Sequence, residues 1–386
     1  MPDKPSMESK IYVTAEGRGF STADLLNYFA RQGSMRVSDL HLKVGCPPVY
    51  RVDGRLQRMK GPDLSADVID QVIRLVLSED EYARFDRDGS VDSSCMTELM
   101  QFRVNCFRDM DGPAVAVRAL DADPPQVEQI GFPTTVWRDI VDRRQGLVLL
   151  TGITGAGKST TIASLINRIA RKHACRIITL EDPIEYRLTS DRAIISQREV
   201  GRDVPSFERG LRDALREDPD VIFVGEMRDR ESTTWTLTAA ETGHLVFSTL
   251  HTRNAVGSVT RLLDMFPPDR QEEVASQLSL GLAYVISQKL APRSDGEGRV
   301  VAMEILQNTY AVANLIRTGK VEQIYTQMQT RTKDVPAERM RTLERSLAEL
   351  VVDGVVTPHD AEKSANDVNT FLDELQRAQQ RRENSA

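Results

Sequence analysis

Residues 152–161 read GITGAGKSTT, a glycine-rich stretch that ends in a lysine and hydroxyls and fits the pattern GxxxxGK[ST]. Gly152, Gly155 and Gly157 would let backbone amides close around phosphates, and a following helix N-terminus adds positive potential. Ile153, Thr154, Ala156 and Thr160 complete the loop. Lys158 would reach the β- and γ-phosphates, and the Ser159 hydroxyl would bind Mg2+. The apolar run Leu147 to Leu150 precedes the loop, and Ile162, Leu165, Ile166 and Ile169 follow it at helical spacing. This is the strand, loop and helix setting that phosphate binding requires, and it argues against an accidental glycine loop.

Carboxylates follow at matching places. DPDVIFVGEMRD, residues 218–229, predicts a strand that ends in Gly225 and Glu226, where a carboxylate beside the phosphate loop can hold Mg2+ through water. LEDPIEY, residues 180–186, ends another strand with Glu181, Asp182 and Glu185. Taken singly, each acidic cluster reads as a solvated loop. Taken together, they fall at the carboxyl ends of strands, where open α/β sheets bind ligands. Hydrolysis also needs a group that orients water against the γ-phosphate, and either Glu185 or Glu226 can supply it.

GHLVFSTLHT, residues 243–252, carries His244 and His251, two of only five histidines in the chain. In a strand, seven steps of about 3.3 Å separate the two rings by roughly 23 Å and point them to opposite faces, so one zinc cannot hold both. If this strand runs parallel to the one before the phosphate loop, His251 lies at the carboxyl edge. It is expected to contact the nucleotide phosphate, directly or through water. His244 lies at the opposite edge, where it is expected to tether the strand start or a subunit contact; a satisfied structural histidine is the stronger reading.

These segments must be positioned by a larger fold. The chain has 386 residues, enough for about two or three domains. Residues 1–20 are polar and expected to be disordered. Residues 21–121 mix helical patterns (STADLLNYFARQG, LSADVIDQVIRLVLS) with strand patterns (SDLHLKVGCPPVYRVDG, FRVNCFRDMDGPAVAVRAL), which predicts a small α+β domain with a hairpin turn at Asp53-Gly54. Residues 122–145 read as a linker and a first helix. In residues 146–365, GLVLLTG, RIITLED, DVIFVGE and HLVFSTL alternate with helical segments and are apolar at nearly every position. Such runs suit strands covered on both faces, so an α/β domain with a mostly parallel sheet is expected. Residues 366–386 form a charged tail, expected to be a solvated or frayed helix.

Composition excludes several classes. The chain is 40% hydrophobic and 28% charged, as in an ordinary globular protein, and its net charge of −7 gives no general reason to bind nucleic acid. Its four cysteines, Cys46, Cys95, Cys106 and Cys175, form no CxxC pair, which argues against a zinc module and fits a reduced compartment. No apolar run of about 18 residues or signal-peptide core is present, so a cytoplasmic protein is expected, with any membrane association made through a partner.

With these residues in view, the chain resembles the ATPases of type II and type IV secretion machinery, most closely the type IV pilus retraction ATPases. GITGAGKSTT matches the Walker A motif, ITLEDPIEY the aspartate box, LREDPDVIFVGEMRD the Walker B motif and AAETGHLVFSTLHT the histidine box. SDLHLKVGCPPVYRVDG and FRVNCFRDMDGPAVAVRAL are similar to the family's small domain. The resemblance implies a homohexameric motor with a PAS-like N-terminal domain and a RecA-like ATPase domain that uses ATP and Mg2+. By motif, Glu185 resembles the catalytic base and Glu226 the Walker B acid, here placed after Gly225. Arg103 and Arg118 lie where the family has phosphate-reaching arginines, whose planar fork can bind phosphate oxygens bidentately. The competing reading is that Arg108 or Arg118 simply pairs with surface acids.

The resemblance further implies an inner-membrane pilus platform protein as partner, with a paralogous retraction ATPase as another. The protein would then be cytoplasmic and peripherally associated with the inner membrane. Extension and type II secretion ATPases typically carry extra N-terminal domains and a four-cysteine zinc insert; neither pattern is found here, which favours retraction. The family's retraction signature AIRNLIRE corresponds to AVANLIRT, residues 311–318, a departure that keeps an accessory retraction role open. A nucleic-acid translocase is disfavoured by the acidic balance and the lack of a basic-aromatic stripe. A silent nucleotide-binding scaffold is disfavoured by the intact Lys158, Ser159, Glu185 and Glu226.

Overall fold

Alternating polarity builds the first part of the chain. In QFRVNCFRD, Phe102, Val104 and Cys106 are fully buried, and the intervening residues point away from the core, as a half-covered strand requires. The computed structural model describes residues 6–14, 16–31, 37–52, 55–97, 100–120, 123–296, 298–329 and 339–384. The chain divides into two units: Met1–Asp123 with Pro183–Arg187, and Pro124–Asp182 with Leu188–Ala386.

The N-terminal unit contains β1 (Lys10–Val13), β2 (Gly19–Ser21), α1 (Thr22–Asn27), β3 (Val37–Lys43), β4 (Val49–Val52), β5 (Arg55–Arg58), α2 (Ala66–Val76), α3 (Glu79–Asp88), β6 (Ser90–Met96), β7 (Gln101–Asp109) and β8 (Gly112–Leu120). Strands β3 to β8 form an antiparallel sheet in the order β5-β4-β3-β8-β7-β6. Helix α2 buries Ile69, Val72, Ile73 and Val76, one stripe at helical spacing, in a core shared with Phe85, Phe102 and Val104. Strands β4 and β5 pair up to Val52↔Arg55; Asp53 and Gly54, expected to make their turn, lie outside the described residues.

The second unit contains α4 (Val136–Asp142), β9 (Gly146–Thr151), α5 (Lys158–Lys172), β10 (Arg176–Glu181), β11 (Ile194–Glu199), α6 (Phe207–Ala214), β12 (Val221–Val224), α7 (Arg230–Glu241), β13 (Leu245–Leu250), α8 (Ala255–Asp264), α9 (Pro268–Gly281), β14 (Leu282–Pro292), β15 (Arg299–Gln307), α10 (Tyr310–Arg317), α11 (Ile324–Gln329), α12 (Leu343–Val352), α13 (Pro358–Ser364) and α14 (Val368–Glu383). Its sheet runs β11-β10-β12-β13-β9-β14-β15, parallel throughout except for β15, which is antiparallel to β14. Every residue of β9, β12 and β13 is buried, which explains their largely apolar character. Among the described residues no helix is long and apolar enough to cross a membrane.

Three expectations are corrected. The N-terminal stretch expected to be disordered contains β1, which pairs with β2 and places Tyr12 in the core. The C-terminal tail is a helix and mostly solvated, as expected, but it is not frayed. Phe371 of α14 is 1% exposed and packs with Leu343, Leu347 and Val356, so an apolar face among the charges anchors it. Finally, the ATPase unit is not continuous over 146–365, because residues 183–187 group with the N-terminal unit: Gln101 Nε2 donates to the Ile184 carbonyl at 2.7 Å.

Candidate nucleotide site

Strand β9 leads into the glycine loop and α5 follows it, with Ile162, Leu165 and Ile166 fully buried. A Cβ on Gly152 would lie 2.6 Å from the Gln288 carbonyl oxygen, so only glycine lets the loop leave β9 this close to β14. The loop is buttressed from β14. Thr151 Oγ1 donates to Ser287 Oγ at 2.7 Å, and Gln288 Nε2 donates to Thr161 Oγ1 in the first turn of α5 at 2.9 Å. Lys158 is mostly buried, and its Nζ donates to the Gly152 carbonyl at 2.8 Å and to the Ile153 carbonyl at 3.2 Å. The ammonium is thus held over the loop it closes.

Parallel register sets the other groups beside it. In the order β10-β12-β13-β9, the carboxyl ends carry Asp182, Glu226, His251 and the glycine loop in succession. Thr249 Oγ1 donates to the Gly225 carbonyl at 2.6 Å and fastens the exit of β12 to β13. Glu226 uses both oxygens: Arg228 Nε donates to Oε2 at 2.7 Å, and His251 Nε2 lies 3.3 Å from Oε1. Arg228 also donates from Nη1 to Asp182 Oδ2 at 3.0 Å. The hydrogen bond to Glu226, followed by the charges of Glu226 and Asp182, pushes the Arg228 pKa up against the effect of partial burial, so it remains a cation. Glu181 accepts from Thr179 Oγ1 at 2.6 Å and from Gln197 Nε2 at 3.2 Å, which makes it a structural acid.

The two histidines separate as their strand positions predict. His244 lies at the start of β13, where its Nδ1 is 2.9 Å from the Ala239 carbonyl and 3.2 Å from Thr242 Oγ1 at the end of α7. His251 lies at the far end, against Glu226.

Glu185, Arg103 and Arg118 belong to the N-terminal unit, Glu185 through the 183–187 excursion. Arg103 and Arg118 are directly paired across β7 and β8, and Arg118 is in turn opposite Asp39 of β3. Arg118 Nε donates to Asp39 Oδ1 at 2.8 Å, and Arg103 lies 3.9 Å from Asp92. Burial alone would raise the Asp39 pKa, but hydrogen bonds from Ser38 and Arg118 prevail and hold it below its usual value. Arg108 pairs with Asp86 at 2.8 Å and lies over the Phe85 ring. Each of the three arginines therefore has an acid of its own unit beside it.

The residues suit a nucleotide with Mg2+. A Cβ on Gly155 or Gly157 would meet nothing within 4 Å, so no neighbouring group crowds the loop at those positions. Ser159 and Glu226 offer a hydroxyl and a carboxylate, the hard oxygen donors Mg2+ prefers. Among the described residues no group of three or more His, Cys, Asp or Glu could hold a metal. Mg2+ takes one or two protein oxygens plus substrate phosphates and water, and the Ser159 hydroxyl and Glu226 carboxylate are of that type. Arg228 and Gln288 were not found from sequence. Arg228 is only two residues past Glu226, where its reach back to the carboxylate was readable; Gln288 comes from a remote strand and carries no local signal.

Comparisons with known proteins agree with this arrangement. Residues 34–357 match the family described as Type II/IV secretion system protein. The chain is 42% identical over 321 residues to a twitching motility protein of Neisseria gonorrhoeae, covering 83% of this chain and 84% of that protein. It is 40% identical over 349 residues to a type IV pilus retraction ATPase, PilT, of Pseudomonas aeruginosa, covering 90% of this chain and 99% of the relative. The crystal structure of the pilus retraction motor PilT with bound ADP superposes with a TM-score of 0.81 at 41% identity, covering 90% of this chain and 97% of that one. On these matches this chain is a member of the Type II/IV secretion system protein family.

Proposed function

We propose that this chain is an ATP-hydrolysing motor that powers type IV pilus retraction. The observation that carries the reading is the alignment of the glycine loop, His251, Glu226 and Asp182 along one strand edge. It occurs in a chain 42% and 40% identical to proteins named for twitching motility and pilus retraction. The loop amides and Lys158 bind the phosphates, and the α5 N-terminus favours their charge. Ser159 would hold Mg2+ directly and Glu226 would hold it through water, and the ion would supply charge neutralisation at the transferred phosphoryl group. Arg228 and His251 orient Glu226, and His251 also senses the phosphate. Glu185 or Glu226 orients the attacking water, and the Arg103–Arg118 pair contributes phosphate-reaching guanidiniums. In this reading the motor works as a homohexamer in the cytoplasm, peripherally bound at the inner membrane through a pilus platform protein, with a paralogous retraction ATPase as a further partner.

The test has a biochemical and a cellular arm. Lys158→Ala should abolish ATP turnover in the purified protein; turnover at the wild-type rate would overturn the site. A strain carrying only that variant should lose twitching motility while keeping normal or excess surface pili. Loss of pili would assign the motor to extension, and unchanged motility would assign it an accessory role.

A further inference from the structure

We infer that Glu304, a buried carboxyl on β15 outside the phosphate site, is a positioning residue for His251. His251 hangs between two anchors. On one side is β13; on the other, three residues lead to Ala255, the first residue of α8. That second anchor is fastened locally by the Asn254 side chain, which accepts from the Gly257 amide at 2.7 Å, and by Thr252 Oγ1, 2.6 Å from Ser258 Oγ. Glu304 holds it from across the fold: the Ala255 amide donates to Glu304 Oε1 at 2.6 Å. Ala255 is fully buried, so its amide has no recourse to water, and losing this acceptor would free the start of the helix to shift. Such a shift passes through residues 252–254 to His251 and its 3.3 Å contact with Glu226.

The cost of this arrangement points to more than packing. Glu304 is 1% exposed, and its Oε2 has no hydrogen-bond partner among the described residues. A half-satisfied buried carboxyl is expensive where an apolar residue would fill the same space. Burial pushes the Glu304 pKa up to about 7, with Glu344 of α12 acting the same way, while the Ala255 bond and Lys289 of β14 oppose it. Tyr325 of α11 also faces this acid pair and donates to Glu344, and Arg253 faces Lys289. The carboxyl therefore changes charge in the neutral range. Its ionised form is the stronger acceptor for an amide at a helix N-terminus. Turnover should rise as Glu304 ionises and fixes the His251 segment.

The experiment is ATP hydrolysis by the full chain from pH 5.5 to 9, in wild type, Glu304→Gln, His251→Gln and the double variant. Glu304→Gln keeps the carbonyl acceptor and the shape but cannot ionise. We expect it to lose the wild-type rise through about pH 7, with kcat at pH 8 lower by about tenfold, as for loss of an outer partner, and KM for ATP unchanged. In the His251→Gln background the same change should have little further effect, since coupled residues are not additive. Equal pH profiles for Glu304→Gln and wild type, a loss confined to KM, or an undiminished loss on top of His251→Gln would each overturn the inference. Should His251→Gln show no turnover, the pH profile of the single variant decides alone. The inference rests on the ATPase reading, and the two fail differently: a wild-type chain without turnover refutes that reading, whereas equal profiles refute only the role of Glu304.

Discussion

Gly152→Ala tests whether the loop is shaped by close approach to β14 or merely by glycine flexibility. Gly152 has φ of +143°, a conformation L side chains rarely adopt, and an added Cβ would lie 2.6 Å from the Gln288 carbonyl oxygen and 3.0 Å from Ala156 Cβ. The obstructing atom is backbone in a strand whose neighbour residue, Ser287, pairs with Thr151, so it cannot retreat without breaking the ladder. Backbone strain of this kind costs about 1–3 kcal/mol, and overpacking adds about 1–3 kcal/mol. At about 2–4 °C per kcal/mol for a unit of this size, Tm should fall by roughly 5–20 °C. Gly155→Ala is the control: φ is +78° and its Cβ would meet nothing within 4 Å. It should carry only the left-handed cost, about 1–2 kcal/mol, and a smaller drop in Tm. Calorimetry without nucleotide measures both, and fluorescent ADP binding should weaken in both because each alters the phosphate cradle. If Gly152→Ala melts within about 3 °C of wild type, or Gly155→Ala is the less stable of the two, the buttressing argument is wrong.

Other outcomes follow from the same geometry. His251→Ala should cut ATP turnover sharply, whereas His244→Ala should cost only about 1 kcal/mol of stability, the worth of its bond to Ala239; turnover lost only in His244→Ala would reverse the ranking. Phe371→Ala, which empties a site 1% exposed, should destabilise the packing of α14 on α12 by about 3–5 kcal/mol in urea unfolding, and a change below about 1 kcal/mol would return α14 to a solvated tail. Glu304 has a folded pKa near 7, raised from 4.5 mainly by burial. A raised carboxyl favours the folded state while protonated, so this contribution is complete below about pH 4.5, fades as pH rises to 7 and is absent above. Unfolding free energies from denaturant titration should therefore shift in favour of Glu304→Gln by up to about 3 kcal/mol between pH 5 and pH 8. A difference that stays constant with pH would mean that Glu304 does not titrate in this range.

Much of the site could be read before any coordinates. The phosphate loop is local chemistry, since glycines, lysine and serine lie within ten consecutive residues and the flanking patterns name a strand and a helix. The positions of Glu226 and His251 were legible for a related reason: a mostly apolar strand run has two ends, and parallel neighbours align their carboxyl ends. The sequence therefore determined the parallel α/β core and the placing of the glycine loop, Glu226 and His251 at one strand edge, with His244 at the other.

Tertiary structure decided what depends on groups far apart in the chain. Gln288 is 127 residues from the Thr161 hydroxyl it donates to, and Glu304 is 49 residues from the amide it accepts. It also decided that residues 183–187 leave the ATPase unit, that Arg103 and Arg118 face each other across two strands, and that Phe371 anchors the last helix. Motifs and periodicity report on neighbours along the chain or along one element. Contacts between elements depend on how buried faces pack, and no local pattern of residues encodes that.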